Sequence, residues 1–482
     1  HGEQQDNRST FDSCHRLEGR RHAGIRRSVR QRSSYASKGK ICREVYLPWR
    51  KNSCTDAQYQ ELMTKQLLQT DLLVIGGGAS GLAAAIAAKR ICGDRFSVCI
   101  AEQNPRVGKK ILVTGNGRCN LGNTSKDYAA YHGSLTAVLP EFLSQTLSSK
   151  EFFQIMGLYC REETDGRLYP HSNQASSVLD TLRLTTEALG ISVCCDCHIT
   201  GIQQKQHTFF VQTSDGTIIA KAVIVATGGF AAPKTGSDGN AMKWLSVLGH
   251  HETNLSPALV AFQAESKLLR TLKGIRISAT VSALDAQENI IGKESGEVQF
   301  TENALSGICI MNLSARLSNK NPTALSLNLL PHQTSSQTQA MLWELYSIRT
   351  QWRTEDWLTG LFPKKVGIQL LRSCKIPTDI PVYQVTPFQL ERLSQMCHDW
   401  RFPVISRGNW QNAQVTAGGI PLEQLRKNSL ESKWISGLFF SGEILDLHGE
   451  CGGYNLNWAW CSGQYVGMEA VAYLKNTLER TV

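Results

Sequence analysis

Leu72-Leu73-Val74-Ile75 is a continuous apolar run that opens onto glycines. Such runs suit a strand buried on both faces of a parallel sheet. An alanine-rich stretch over residues 82–91 follows, and its composition predicts a helix. Residues 96–101 form a second strand candidate, which ends at Glu102. Ala222-Val223-Ile224-Val225 and Leu438-Phe439-Phe440 repeat the theme of a buried strand breaking at glycine. A last helix is predicted over residues 457–473. Strands alternating with helices in this way point to an α/β architecture.

The pattern changes over residues 256–413. Residues 259–264, 276–284 and 296–301 alternate enough to be strands, with turn residues between them that suggest hairpins. Strand-like runs return at 380–385 and 403–406. Residues 341–371 have helical spacing, with Trp343, Leu345, Ile348, Trp352, Trp357 and Leu361 on a broken stripe that Pro363 interrupts. We read that stripe as core. His250-His251 follow a predicted helix over 240–248 and read as its C-terminal cap. The expected architecture is α/β. A discontinuous Rossmann-like domain, residues 63–255 and 414–482, is interrupted by an inserted domain, 256–413, part β-barrel or sandwich and part helical (about 335–376).

Charge changes the picture at the N-terminus. The 482 residues carry a net charge of +10. Residues 1–62 hold 13 Lys+Arg against 7 Asp+Glu, hence +6, and the other 420 hold 38 against 34, hence +4. The head lacks a hydrophobic period, starts at His1 and precedes Met63, which leads straight into the first strand. We read Met63 as the natural start and the head as no functional part of the fold. A transit peptide is usually Arg- and Ser-rich but poor in acids, so the seven acids argue against one. A basic arm could touch nucleic acid, but the near-neutral remainder argues against an extended phosphate-binding surface.

The longest apolar stretches, such as 82–88, fall well short of the ~18 residues a membrane span needs. Fifteen cysteines, an odd number with no apolar signal core before them, suggest a reducing cytoplasm rather than a disulfide scaffold. Cys194-Cys195-Asp196-Cys197 lacks the paired C-x-x-C knuckles of a zinc site and reads as strand residues, so no metal is expected. Nothing in the pattern speaks to oligomeric state.

Gly76-Gly77-Gly78-Ala79-Ser80-Gly81 fits G-x-G-x-x-G between strand and helix. Gly76 permits the tight turn, Gly78 lets a pyrophosphate approach the backbone, and Gly81 lets helix and strand pack closely. The helix N-terminus at Ala79 and Ser80 offers free N–H groups to phosphate. Glu102, 21 residues beyond Gly81, can accept from ribose hydroxyls, which favours FAD or NAD over NADP. The loop beyond Gln103 and Lys109 reaches Gly115-Asn116-Gly117-Arg118-Cys119-Asn120, where two glycines and Arg118 could wrap a cofactor. Thr227-Gly228-Gly229 closes a later strand, and Gly442-Glu443 with Asp446 closes another. Gly453-Tyr454-Asn455-Leu456 feeds the last helix, whose N-terminus can face the pyrimidine edge of a flavin.

Together these motifs resemble the two-dinucleotide-binding-domain flavoproteins, and more narrowly the BaiN-like (YhiN-type) family of NAD(P)/FAD-dependent oxidoreductases. Its carriers are the Gly76–Gly81 block, the T-G-x-G-R-C-N block ending at Asn120, Phe300-Thr301-Glu302-Asn303-Ala304-Leu305-Ser306-Gly307, Val415-Thr416-Ala417-Gly418-Gly419, and Gly452-Gly453-Tyr454-Asn455-Leu456. The resemblance implies FAD clasped by the first and last segments. It puts the Gly76–Gly81 turn on the pyrophosphate and Glu102 on the ribose. Residues 115–120 would lie near the flavin, Gly442 and Asp446 by the ribityl-phosphate, and residues 453–456 by the ring. Asn457 and Cys461 depart from the family pattern, where Gln and a small hydroxyl residue are expected.

The resulting expectation is an FAD-dependent oxidoreductase of a small organic substrate, held between the FAD domain and the insert. With a single G-x-G-x-x-G unit, NAD(P)H would reduce the flavin from the substrate cleft. Tyr454, Arg118 and His171 are the candidates for proton donation or oxyanion support. The alternatives are a flavin-dependent oxidase of small aminoketones or amines, a tRNA-modifying flavoprotein, or a non-enzymatic flavin-binding redox protein using Cys119 or Cys461.

Overall fold

The computed structural model describes residues 66–264 and 267–479. The basic head and Met63 lie outside the described residues. The first strand, Gln66–Ile75, sits inside a seven-stranded sheet. It pairs in parallel with Val98–Ala101 on one side and Gly216–Val225 on the other. Ser192–Cys194 extends the sheet beyond Val98–Ala101, and Leu438–Phe440 adds in parallel to the end of Gly216–Val225. Leu72, Leu73 and Val74 have no exposed surface, as a central parallel strand requires. Each such side chain contributes about 1.5–3 kcal/mol by leaving water.

The helix Ala79–Cys92 returns over this sheet and meets the C-terminal helix Tyr454–Glu479. The two approach so closely that only glycine fits at the crossing. A Cβ on Gly467 would lie 2.5 Å from the Ala84 carbonyl oxygen, and one on Gly463 would overlap that of Ser80. Four residues apart, these glycines share one helix face. Buried residues from Leu72 to Leu245 and from Ile420 to Leu474 therefore form one core.

A second core spans Phe262 to Phe402. It fills a closed antiparallel barrel of six strands: Phe262–Ala264, Ala304–Ser306, Ile290–Phe300, Arg276–Leu284, Ala324–Asn328 and Trp400–Arg407. Helices Ser335–Ile348, Lys364–Ser373 and Pro387–His398 pack beside it. At the chain's two crossings between these parts, Ser256–Ala258 pairs antiparallel with Val415–Ala417.

Some expectations change. Residues 380–385 are not a strand; Val382–Gln384 is a single 3-10 turn, set off by Pro381, which has no N–H to give a ladder. The tryptophan stripe is only partly core, because Trp357 is fully buried while Trp343, Trp352 and Ile348 are exposed. His250 does follow a helix end, its N–H bonding the Leu245 carbonyl, but its ring is buried between Gln424 and Ser432. Cys194 lies on the sheet edge with its sulfur 3.7 Å from that of Cys99. No group of three metal-ligating side chains occurs among the described residues. No helix among them is long and apolar enough to cross a membrane.

Candidate functional site

The main cavity, about 650 Å³, lies along the C-terminal ends of the parallel strands, where ligands of open α/β sheets bind. Its floor is the glycine turn. Gly76 sits at φ +105°, a conformation open to glycine, and any Cβ there would overlap the Ala226 carbonyl. A Cβ on Gly81 would overlap the Gly76 carbonyl. Gly78 differs: its φ is −80°, and an added Cβ would meet nothing within 4 Å. It faces the open cavity.

Glu102, at the end of its strand, is 7% exposed. One carboxylate oxygen accepts from the Gly77 N–H at 2.8 Å, and the other from the backbone and side-chain nitrogens of Asn104. Three bonds on a carboxylate with about four acceptor sites leave room for one hydroxyl. Gln103 donates to the Gly236 carbonyl and Lys109 reaches Asn104, and all of these residues line the cavity.

Gly115, Arg118, Asn120, Thr227, Gly228, Glu443, Gly453, Asn455 and Leu456 also line it, as do Gly76, Gly78, Ala79 and Ser80. The structure thus brings together residues from both ends of the chain. Glu443 is bound by Lys110 at 2.6 Å and accepts from the Thr416 N–H. Asn455 locks the loop before the last helix by exchanging bonds with both backbone groups of Gly449. The side-chain oxygens of Asn120 and Thr227 and the Nε of Arg167 are buried with no hydrogen-bond partner. Buried polar atoms are rarely orphaned, so these mark a place for a polar ligand.

Other anticipated residues stand back from the cavity. Gly442 packs on Ser80, where a Cβ would collide, and its N–H is held by Ser462. Asp446 accepts from the Ser134 N–H at 3.0 Å and anchors that loop. Gly229 is pressed against Thr416, and Gly117 is exposed. The Cys119 thiol is fully buried, and burial pushes it up to about 12. The Tyr454 ring meets Tyr131 edge-on and does not line the cavity. His171 is exposed and outside it. Arg118 lines the cavity, yet its guanidinium is engaged by Glu163 and Asn173 and lies over the Tyr169 ring.

Two residues that sequence reasoning did not single out complete the wall. Glu450, 6% exposed, is held by Arg316 and by His132 at 3.2 Å. Burial alone would push its pKa up, but the bonds from His132 and Arg316 outweigh burial and hold the carboxyl below its ordinary range. Arg167 lies on the strand Arg167–Pro170. Its signal was the alternation Arg167-Leu168-Tyr169, which sends Leu168 inward and the other two toward the cavity. Leu259, Ile308 and Met311 of residues 256–413, with Val415 from the strand paired to Ser256–Ala258, add an apolar wall.

Residues 70–469 match the HI0933-like protein Rossmann domain. The chain belongs to that family. Among curated relatives of this HI0933-like chain is the 3-dehydro-bile acid delta(4,6)-reductase of Clostridium scindens, 34% identical over 82% of this chain and 98% of that protein. The ribosomal RNA dihydrouridine synthase of Escherichia coli is 25% identical over 83% of this chain and 98% of its own length. Among solved structures, the 3-ketosteroid-delta4-(5alpha)-dehydrogenase of Rhodococcus jostii is similar with a TM-score of 0.41 and 15% identity, covering 85% of this chain and 98% of that one.

Proposed function

We propose that this chain is an FAD-dependent oxidoreductase that reduces an activated carbon–carbon double bond in a small organic molecule, with NAD(P)H as electron donor. The observation that carries this is the cavity itself. A glycine floor with an open Gly78 meets the N-terminus of the Tyr454–Glu479 helix on one side and the apolar wall of the insert on the other. The residues fit FAD: a Gly78 side chain would fill the cradle, and the unpartnered Asn120 and Thr227 oxygens await donors.

FAD, when bound, supplies the hydride chemistry. The chain's own groups do the rest. The N–H groups at Gly78 and Ala79 would hold pyrophosphate, and Glu102 would take a ribose hydroxyl. Gly452 and Gly453, both at positive φ, would let the last helix begin beside the flavin ring. The apolar wall would help exclude water from the face where substrate would lie. We take residues 63–255 with 414–482 as the cofactor domain, residues 256–413 as the substrate domain, and the cytoplasm as the setting.

The relatives' names support the reaction class, since both denote addition of hydrogen to an unsaturated substrate. A second reading, an RNA base as substrate, is favoured by the ribosomal RNA relative and the basic head. The higher identity to the bile acid enzyme and the apolar wall favour the small molecule. Anaerobic mixing with NADH or NADPH tests the proposal. One of them should bleach the flavin, and a 3-oxo-4-ene steroid should restore the colour. A yellow protein bleached by neither contradicts it, and recovery with uridine-containing RNA alone selects the second reading.

A further inference from the structure

Four cations line the cavity: Lys109, Lys110, Arg118 and Arg167. Three have close partners there. Lys110 is paired with Glu443 at 2.6 Å, Arg118 is held by Glu163 and Asn173, and Lys109 reaches Asn104 beside Glu102. Arg167 is different. Its Nε is buried without a hydrogen-bond partner, and its ion pair, to the exposed Asp165, spans 3.9 Å.

Its place in the fold is well fixed. Arg167 is in register with Asn123 across two antiparallel strands, and Asn123 donates to the Gly452 carbonyl at 3.0 Å. The guanidinium is also near enough to act on Cys451 and Tyr454 electrostatically. Cys451, like Met311, packs against the cluster that holds Leu259 and Val415 of the apolar wall. Arg167 therefore stands where the glycine-fed start of the last helix meets that wall, away from the Glu102 end.

We propose that Arg167 is the substrate-recognition residue, its guanidinium binding the carbonyl oxygen conjugated to the double bond that is reduced. A planar fork of donors suits a carbonyl oxygen. Its charge would draw electron density from the conjugated bond and so activate it. The orphaned Nε is the expected state of a donor that awaits substrate. This inference rests on the function proposed above.

The test is a binding cycle on the FAD-loaded protein, read from the shift of the flavin's visible spectrum. The probes are a 3-oxo-4-ene steroid and the same steroid lacking the 3-oxo group. Wild type should bind the ketone more tightly by about 10- to 100-fold, the usual worth of a hydrogen bond to a charged group. In Arg167→Met that preference should vanish while FAD content stays unchanged; Arg167→Lys should keep part of it. Added guanidinium at low concentration should restore the preference to Arg167→Ala, which a merely structural loss would not allow. A preference that survives in Arg167→Met overturns the inference, and so does a yellow wild type without any preference. A protein that takes up no FAD fails at the earlier reading instead, and the spectrum shows that before any steroid is added.

Discussion

Gly78→Val separates the cofactor from the fold more cleanly than any other change at the glycine turn. Gly76 and Gly81 cannot carry a side chain without overlapping backbone carbonyls. Gly78 can: its backbone is extended, at φ −80° and ψ −166°, and an added Cβ meets nothing within 4 Å. The folded chain should accept valine with a stability change within about 1 kcal/mol, helped by the lower entropy of the unfolded chain. FAD should not accept it. The side chain would enter the path of the pyrophosphate and deny it the N–H groups at the helix N-terminus. Losing two charge-assisted bonds of about 1.5–3 kcal/mol each amounts to about 3–6 kcal/mol, or a Kd weaker by about 10²- to 10⁴-fold. FAD titration followed by flavin fluorescence, alongside thermal unfolding by circular dichroism, measures both quantities. A variant with normal Tm that binds FAD as tightly as wild type would refute the placement of the turn. A variant that unfolds would refute the claim that Gly78 faces open space.

Gly463→Leu should force apart the helices Ala79–Cys92 and Tyr454–Glu479 and lower stability by about 3 kcal/mol or more, since overpacking alone costs about 1–3; urea unfolding checks this, and an unchanged midpoint would mean the helices do not touch there. Cys119 and Cys461 are buried thiols pushed up to about 12 by burial, whereas Cys195 is exposed. A thiol reagent at pH 8 should therefore mark Cys195 and leave the two buried thiols untouched in the native protein, as mapped by mass spectrometry. Rapid labelling of either would revive a redox-sensing role. Burial holds the His448 imidazole down at about 4. Between pH 6.5 and 4 the unfolded chain then binds a proton that the folded chain refuses, so stability should fall by about 3 kcal/mol as pH drops through that window. His448→Gln should flatten the decline, and an equally steep curve would show that other groups cause it.

Much of this was legible in the sequence because local pattern and global fold agree. The run Leu72–Ile75, the glycines and the alanine-rich helix each have one structural use, and together they fix strand, turn and helix. The barrel strand Arg276–Leu284 alternates clearly and appears with its anticipated bounds. The 3-10 turn Val382–Gln384 was misread because apolar residues between prolines mimic a strand until the missing donor is counted. Side-chain roles were harder to read. Arg118 looks free in its glycine-rich loop, but Glu163 lies 45 residues away and only the fold brings them together. His171 and Tyr454 carry suitable chemistry, yet a lone residue does not reveal which way its side chain faces. Arg167 and Glu450 went unread because their partners, or the absence of one, arise from segments that meet only in three dimensions.

The central claim is that the two ends of this chain jointly hold one FAD molecule. The most direct measurement is the visible spectrum of the purified chain after incubation with excess FAD and gel filtration, with the mass of the flavin released on denaturation. The account predicts a yellow protein that carries one FAD per chain. A folded protein that elutes colourless from excess FAD, or that releases FMN alone, contradicts it.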